Sequence, residues 1–166
     1  MNKAIFLDRD GVINFERGYT YKLEDFLILP DLIETLQLFQ QKGYLLIVVS
    51  NQSGIAKELY KQSDVELLHN YLINELNKNN IRLSEIYYCV HHPDVCSCIC
   101  RKPDSLFIEK SLARFQIDAR KSYFIGDKER DVEAAEKAGV KGILIEANSS
   151  LKAVFNFIET LQNSSI

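Results

Sequence analysis

Ala4-Ile5-Phe6-Leu7 is a charge-free apolar run that stops abruptly at Asp8-Arg9-Asp10-Gly11. A strand with one face in water would alternate polar and apolar residues, so an unbroken run reads as a strand buried on both faces. Such strands belong to mostly parallel sheets covered by helices, and this narrows the fold class at once. The abrupt end matters as much. Two carboxylates this close, at the end of a buried strand, are costly unless a cation sits on them. In open α/β sheets the C-terminal ends of the strands are also where ligands bind. The stretch therefore reads as a strand that carries Asp8 and Asp10 to a site around a divalent metal. The alternative is a polar strand-to-loop junction in which one acid caps a turn, because Asp and Gly are ordinary turn residues.

The rest of the chain repeats the pattern. Residues 15–21 form a polar and aromatic segment, expected as a loop or small β-flap above the first strand end. Leu32, Ile33, Leu36 and Phe39 recur at helical spacing within 31–42, with Asp31 as a cap and Gly43 beyond the end. Tyr44 to Val49 is a second buried strand, ending in Ser50-Asn51-Gln52. Ser63 and Glu66 form a capping-box pattern for a helix over 63–78. A short strand over 86–88 leads into a cysteine-rich loop. A helix over 104–115, a strand over 122–125, a helix over 132–138, a strand over 142–145 and a helix over 151–161 follow. Strands alternate with helices throughout, which predicts βαβ units and a Rossmann-like, mostly parallel sheet with helices on both faces. The 166 residues fit a single domain over 1–166, with no linker, repeat or room for a second one.

Composition narrows the function classes. Hydrophobic content of 46% and charged content of 26% suit a soluble globular protein. A net charge of −3 without a Lys/Arg block gives no reason to expect nucleic acid. No apolar run approaches the ~18 residues of a membrane helix, and no signal-peptide pattern opens the chain. A cytoplasmic monomer acting on a small molecule is the expectation.

Three strands end in polar sets: Asp8/Asp10, Ser50/Asn51 and Asp127/Asp131. A parallel sheet brings these ends to one edge, and Arg101-Lys102-Pro103 follows the cysteines. Magnesium prefers a few carboxylates with waters and phosphate oxygens, and Ser50, Asn51 and Lys102 would hold the phosphate. With one acid as nucleophile and one as acid/base, the chemistry is phosphoryl transfer through an aspartyl-phosphate. Asp8 attacks, while Asp10 protonates the leaving alcohol and then deprotonates water. Taken singly, Ser50 also reads as a turn cap and Lys102 as a surface lysine.

This set resembles the haloacid dehalogenase superfamily of phosphatases, in motif order over nearly the whole chain: DRDG at 8–11, Ser50, Lys102 in RKP, and GDKxxD at 126–131. The resemblance implies magnesium held by the Asp8 and Asp127 side chains and the Asp10 carbonyl oxygen, with Asp131 either a further ligand or standing behind the ligands. The lack of an inserted domain is similar to the capless members. Within the superfamily, LDRDGVIN, SNQSGIA, YYC, CRKP and GDK resemble the heptose 1,7-bisphosphate 7-phosphatases. That implies substrate contacts at Arg101 and Lys128. The segment Asp104-Ser105-Leu106-Phe107 after RKP, the short cysteine loop and Lys57-Glu58 depart from that family, which leaves histidinol phosphate as the alternative substrate.

All four cysteines fall between Cys89 and Cys100, which argues against a disulfide framework and for a metal loop. Four cysteines, His91 and His92 offer more ligands than a zinc ion takes. The family's C-x-H, gap, C-x-C pattern implies Cys89, His91, Cys98 and Cys100 around Zn²⁺, leaving Cys96 and His92 spare.

Overall fold

The computed structural model describes residues 1–163; residues 164–166 of the domain expected over 1–166 lie outside them. Among the described residues, β1 (Lys3–Leu7), β2 (Tyr44–Asn51), β3 (Leu83–Cys89), β4 (Tyr123–Gly126) and β5 (Lys141–Leu144) form one all-parallel sheet in the order β3-β2-β1-β4-β5. The helices are α1 (Leu32–Gln41), α2 (Gln62–Lys78), α3 (Leu106–Arg114), α4 (Glu129–Lys137) and α5 (Leu151–Asn163). The two-residue period of a strand sorts the core into two layers. Ile5 and Leu7 of β1 face α1, α2 and α5 through Leu36, Leu72 and Ile158. Ala4 and Phe6 face α3 and α4 through Ile108, Ala134 and Ala135. Residues 4–7 are fully buried, as the charge-free run requires, and each large apolar side chain so buried contributes roughly 1.5–3 kcal/mol.

The strand order reverses between β1 and β4. That is where a doubly wound sheet opens a crevice beyond its carboxyl edge, and Asp8 and Asp127 stand at its two sides. Asp8 N still donates to Ile125 O at 3.0 Å before the chain leaves the sheet. It then turns tightly, Ile13 N donating to Arg9 O at 2.8 Å and Gly11 adopting φ 84°. The flap takes shape where Phe15 N donates to Leu27 O and Leu29 N to Ile13 O, both at 2.9 Å.

Several expected boundaries shift. α4 starts three residues earlier than its apolar pattern, at Glu129, because its first turn is charged. β3 is longer than expected, since its solvent-facing residues carry no apolar signal. α2 begins with Lys61 N donating to Asp64 Oδ2 at 2.8 Å rather than with a Ser63–Glu66 box. Glu66 instead accepts from Gln62 and Tyr88. Asp31 makes no side-chain cap for α1. Its Oδ2 accepts from Ser150 Oγ (2.6 Å) and Lys152 N (2.9 Å), so it caps the distant α5. No described helix is long and apolar enough to cross a membrane.

Candidate active site

Lys102 arrives from the cysteine loop and is almost fully buried, with its Nζ 3.0 Å from Asp8 Oδ1, 2.8 Å from Asp131 Oδ1 and 2.7 Å from Val49 O. A buried ammonium is tolerated only when paired, and this one links the end of β1, the last part of β2 and the first turn of α4. Asn51 fixes its backbone: Asn51 Oδ1 accepts from Lys102 N (3.1 Å), and Asn51 Nδ2 donates to Lys102 O (3.0 Å). The amide expected to hold phosphate is thus engaged in seating the lysine, although Asn51 still borders the cleft.

Burial pushes the Asp8 carboxyl up to about 7; Lys102 opposes the shift, while Asp131 and Asp10 add to it. Arg9 N also donates to Asp8 Oδ1 at 2.7 Å. Asp8, Asp127 and Asp131 present carboxylate oxygens within 4.8 Å of one another. Asp131 Oδ1 is ion-paired with Lys102 Nζ, and its Oδ2 accepts from Lys128 N at 3.1 Å. Asp127 is different. Lys128 Nζ lies 2.8 Å from its Oδ2, but its buried Oδ1 has no hydrogen-bond partner. A clustered set of acids with one orphaned oxygen fits a hard divalent cation, which would reverse the upward push on Asp8.

Asp10 is gripped from several sides. Arg9, fully buried, sets Nη2 2.9 Å from each Asp10 oxygen and also donates to Thr20 O. Asn14 Nδ2 donates to Oδ1 (2.9 Å) and Gln52 Nε2 to Oδ2 (3.0 Å). Sequence reasoning gave Arg9, Asn14 and Gln52 no role, although each lies inside a motif that it singled out. Ser50 is buried and its Oγ accepts from Gln52 Nε2 at 2.9 Å.

Above these groups is a cleft of about 320 Å³. Asp8 and Asp10 border it, with Glu16, Tyr19 and Thr20 of the flap, Gln52, Ser53 and Tyr60 after β2, His92 and Arg101 of the cysteine loop, and Arg130 of α4. Burial pushes the Glu16 carboxyl up. Arg101 Nη1 donates to His91 O at 3.2 Å, which ties it to the loop. Lys128 is drawn to Asp127, and that pairing raises its pKa. Arg130 is a cation at the cleft that sequence reasoning missed, hidden in the charged start of α4.

Cys89, His91, Cys98 and Cys100 converge beside this cleft. Cys89 Sγ lies 3.7 Å from Cys98 Sγ and 3.2 Å from Cys100 Sγ, and His91 Nδ1 lies 3.5 and 3.4 Å from the Cys89 and Cys100 sulfurs. A tetrahedron with Zn–S bonds of about 2.3 Å has edges of about 3.8 Å, so the donor set fits zinc. Burial opposes ionisation of Cys98, but the backbone N–H groups of Cys100 and Arg101 outweigh it and draw that thiol's pKa down. Cys96 is exposed and outside the group. His92 pairs with Asp94 and faces the cleft instead.

The model of the HAD-hydrolase-like family matches residues 99–156. A D-glycero-alpha-D-manno-heptose-1,7-bisphosphate 7-phosphatase of Campylobacter jejuni is 41% identical over 150 residues, 90% of this chain and 85% of that protein. A D-glycero-beta-D-manno-heptose-1,7-bisphosphate 7-phosphatase of Helicobacter pylori strain J99 is 40% identical over 159 residues, covering 95% and 91%. The solved structure of the D,D-heptose 1,7-bisphosphate phosphatase of B. bronchiseptica, complexed with magnesium and phosphate, superposes with a TM-score of 0.84 at 25% identity, covering 98% and 99%. The fold, the strand-end acids around a buried lysine and these relatives agree: the chain is a phosphatase of the haloacid dehalogenase type and belongs to the family of D-glycero-D-manno-heptose 1,7-bisphosphate 7-phosphatases.

Proposed function

We propose that this chain removes the 7-phosphate of a D-glycero-D-manno-heptose 1,7-bisphosphate through an aspartyl-phosphate on Asp8. The observation that carries the reading is Lys102 Nζ set between Asp8 and Asp131 at the base of an open cleft. Both contacts to Asp8 fall on Oδ1, which leaves Oδ2 to attack phosphorus. As the P–O bond to the sugar breaks, Asp10 gives its proton to the departing alkoxide. Asp10 then takes a proton from water, whose oxygen attacks phosphorus, releases inorganic phosphate and restores Asp8. Lys102 and Ser50 face the charge that builds on the phosphoryl oxygens.

The side chains of Asp8 and Asp127 and the carbonyl oxygen of Asp10 would hold Mg²⁺, which supplies charge neutralisation between nucleophile and phosphoryl group. Asp131 serves behind them by orienting Lys102. Cys89, His91, Cys98 and Cys100 would hold a structural Zn²⁺. Arg101 binds the phosphate that is not removed, with Lys128, paired to Asp127 and outside the cleft lining, as the second cation of that reading. Clustered free thiols fit a reducing compartment, hence the cytoplasm, and we take the chain to act as a single-domain monomer.

The test is a kcat/KM panel over both anomers of the heptose bisphosphate, the heptose monophosphate and histidinol phosphate, each with Mg²⁺ and with EDTA. A heptose bisphosphate should lead by at least about tenfold, the value of one charge-assisted contact to the second phosphate. Activity is expected to vanish in EDTA. Equal or better turnover of histidinol phosphate overturns the substrate assignment.

A further inference from the structure

Gln52 is buried, and every polar atom of its side-chain amide has a partner. Nε2 donates to Asp10 Oδ2 at 3.0 Å and to Ser50 Oγ at 2.9 Å, while Oε1 accepts from Tyr60 OH at 3.0 Å. The flipped amide would set Oε1 against the acceptor-only Asp10 carboxylate, so Asp10 selects the orientation and the Tyr60 hydroxyl secures it by donating to Oε1. Burial pushes the Tyr60 phenol up, and at neutral pH it stays protonated and donates. Backbone contacts fix the start of this chain of bonds, since Gln52 N donates to Cys89 O at 2.7 Å.

The Tyr60 ring is equally constrained. A Cβ at position 54 would lie 2.1 Å from Tyr60 Cε1, so only glycine there lets the ring reach Gln52. Its other side stacks on Tyr21 of the flap, centroids 5.2 Å apart and planes within 13°. The same flap reaches Asp10 by a second route, through Thr20 O and the Arg9 guanidinium. We propose that Gln52 and Tyr60 are positioning residues for Asp10, through which the aromatic flap holds the acid/base at the angle needed to protonate the leaving group. The inference rests on the reading of Asp10 as that acid/base.

The chemistry sets a specific signature. A positioned acid matters little when the leaving group is a good one and much when it is a poor one, so its loss steepens the dependence of kcat/KM on leaving-group pKa. Both kcat/KM and the melting temperature are to be measured for wild type, Tyr60→Phe and Gln52→Leu, over aryl and alkyl phosphates that span nitrophenyl to sugar alcohol. Tyr60→Phe keeps the ring stack and removes only the hydroxyl. The expected result is a shallow dependence in wild type and a steeper one in both variants. Tyr60→Phe should lose about three- to tenfold at the alkyl end, the scale of one neutral hydrogen bond, and less than about twofold at the nitrophenyl end. Gln52→Leu should lose more at the alkyl end because two donors go. A shallow wild-type dependence with variants parallel to it, whether lowered or unchanged, overturns the positioning role while leaving the Asp10 reading intact. A steep dependence in wild type itself overturns the Asp10 reading and this inference with it.

Discussion

In the proposed mechanism the chemistry turns on Asp8, and its surroundings make a sharp prediction. Burial raises its carboxyl to about 7, so the charge it carries in the working enzyme is held against a cost. Asp8→Asn removes that cost along with the nucleophile. The variant should melt no lower than wild type in EDTA and lose about a thousandfold or more of turnover, since an amide does not attack phosphorus. A Tm comparison with a turnover assay checks both halves. His69 on α2 offers a second prediction at this scale. It is 6% exposed, its Nε2 has no partner, and burial holds its pKa down to about 3, with Arg9 pushing the same way. The unfolded chain binds a proton below about 6.5 that the folded chain refuses. The stability involved is therefore full above that pH and is lost as pH falls toward 3, by up to about 1.4 kcal/mol per pH unit. Asp8 acts in the opposite sense over part of this window, so the informative quantity is the wild-type urea midpoint minus that of His69→Leu, which should shrink from pH 7 to pH 5. The acids were legible in the sequence because strand ends announce themselves by a break in hydrophobicity. Arg9, Gln52 and Tyr60 were not, because burial of a polar side chain is decided by how the strand ends and the flap pack together, and this leaves no hydrophobic signal at the residue itself.

At the scale of elements, apolar patterning recovered each strand and α-helix among the described residues, and missed the short 3₁₀ turns at Leu23–Asp25 and Ala119–Lys121 and the ends that are polar. β3 and the first turn of α4 are the cases in point. Caps were the least legible feature, for a physical reason: a carboxylate beside one helix start is free to serve another start that folding brings nearby. Asp31 does so for α5. Asp31→Ala should therefore cost about 1 kcal/mol, a Tm drop of roughly 2–4 °C, and protection of α5 amides from hydrogen exchange should fall more than that of α1. If α1 loosens instead, the cap is misassigned. The cysteine loop gives the other prediction here. Cys98→Ala should bind no zinc and lose activity, although its sulfur borders no part of the cleft, whereas Cys96→Ala should retain both. Metal analysis of the two purified variants decides between the registers.

Across the whole molecule, the two strands that flank the reversal of strand order and the edge of the sheet contribute to one site. β1 and β4 bring the acids, while the loop after β3 brings Lys102 and Arg101 around the far edge. In the proposed reading, the non-reacting end of a bisphosphate would extend toward Arg101, which lines the cleft. Arg101→Ala should lower kcat/KM about tenfold or more for a bisphosphate and less than about threefold for a monophosphate; equal losses would remove Arg101 from that role. Cys89 is the last residue of β3, and Cys100 stands next but one to Lys102. With the proposed zinc bound, the loop would be a ring: rigid at its root, pinned at its tip, with Lys102 just beyond the pin. Closing a flexible loop of about ten residues costs on the order of 2 kcal/mol in chain entropy on top of a fixed term. Where a bound metal meets that cost, Lys102 needs only to bridge two residues to find Asp8. Without the metal, the two Asn51 hydrogen bonds alone would hold the Lys102 backbone while its charge enters the protein interior. With zinc bound as proposed, the effective concentration of the lysine at its own site would depend on an ion that never touches the substrate, and the supply of that metal would govern how well the acids around the proposed Mg²⁺ are neutralised.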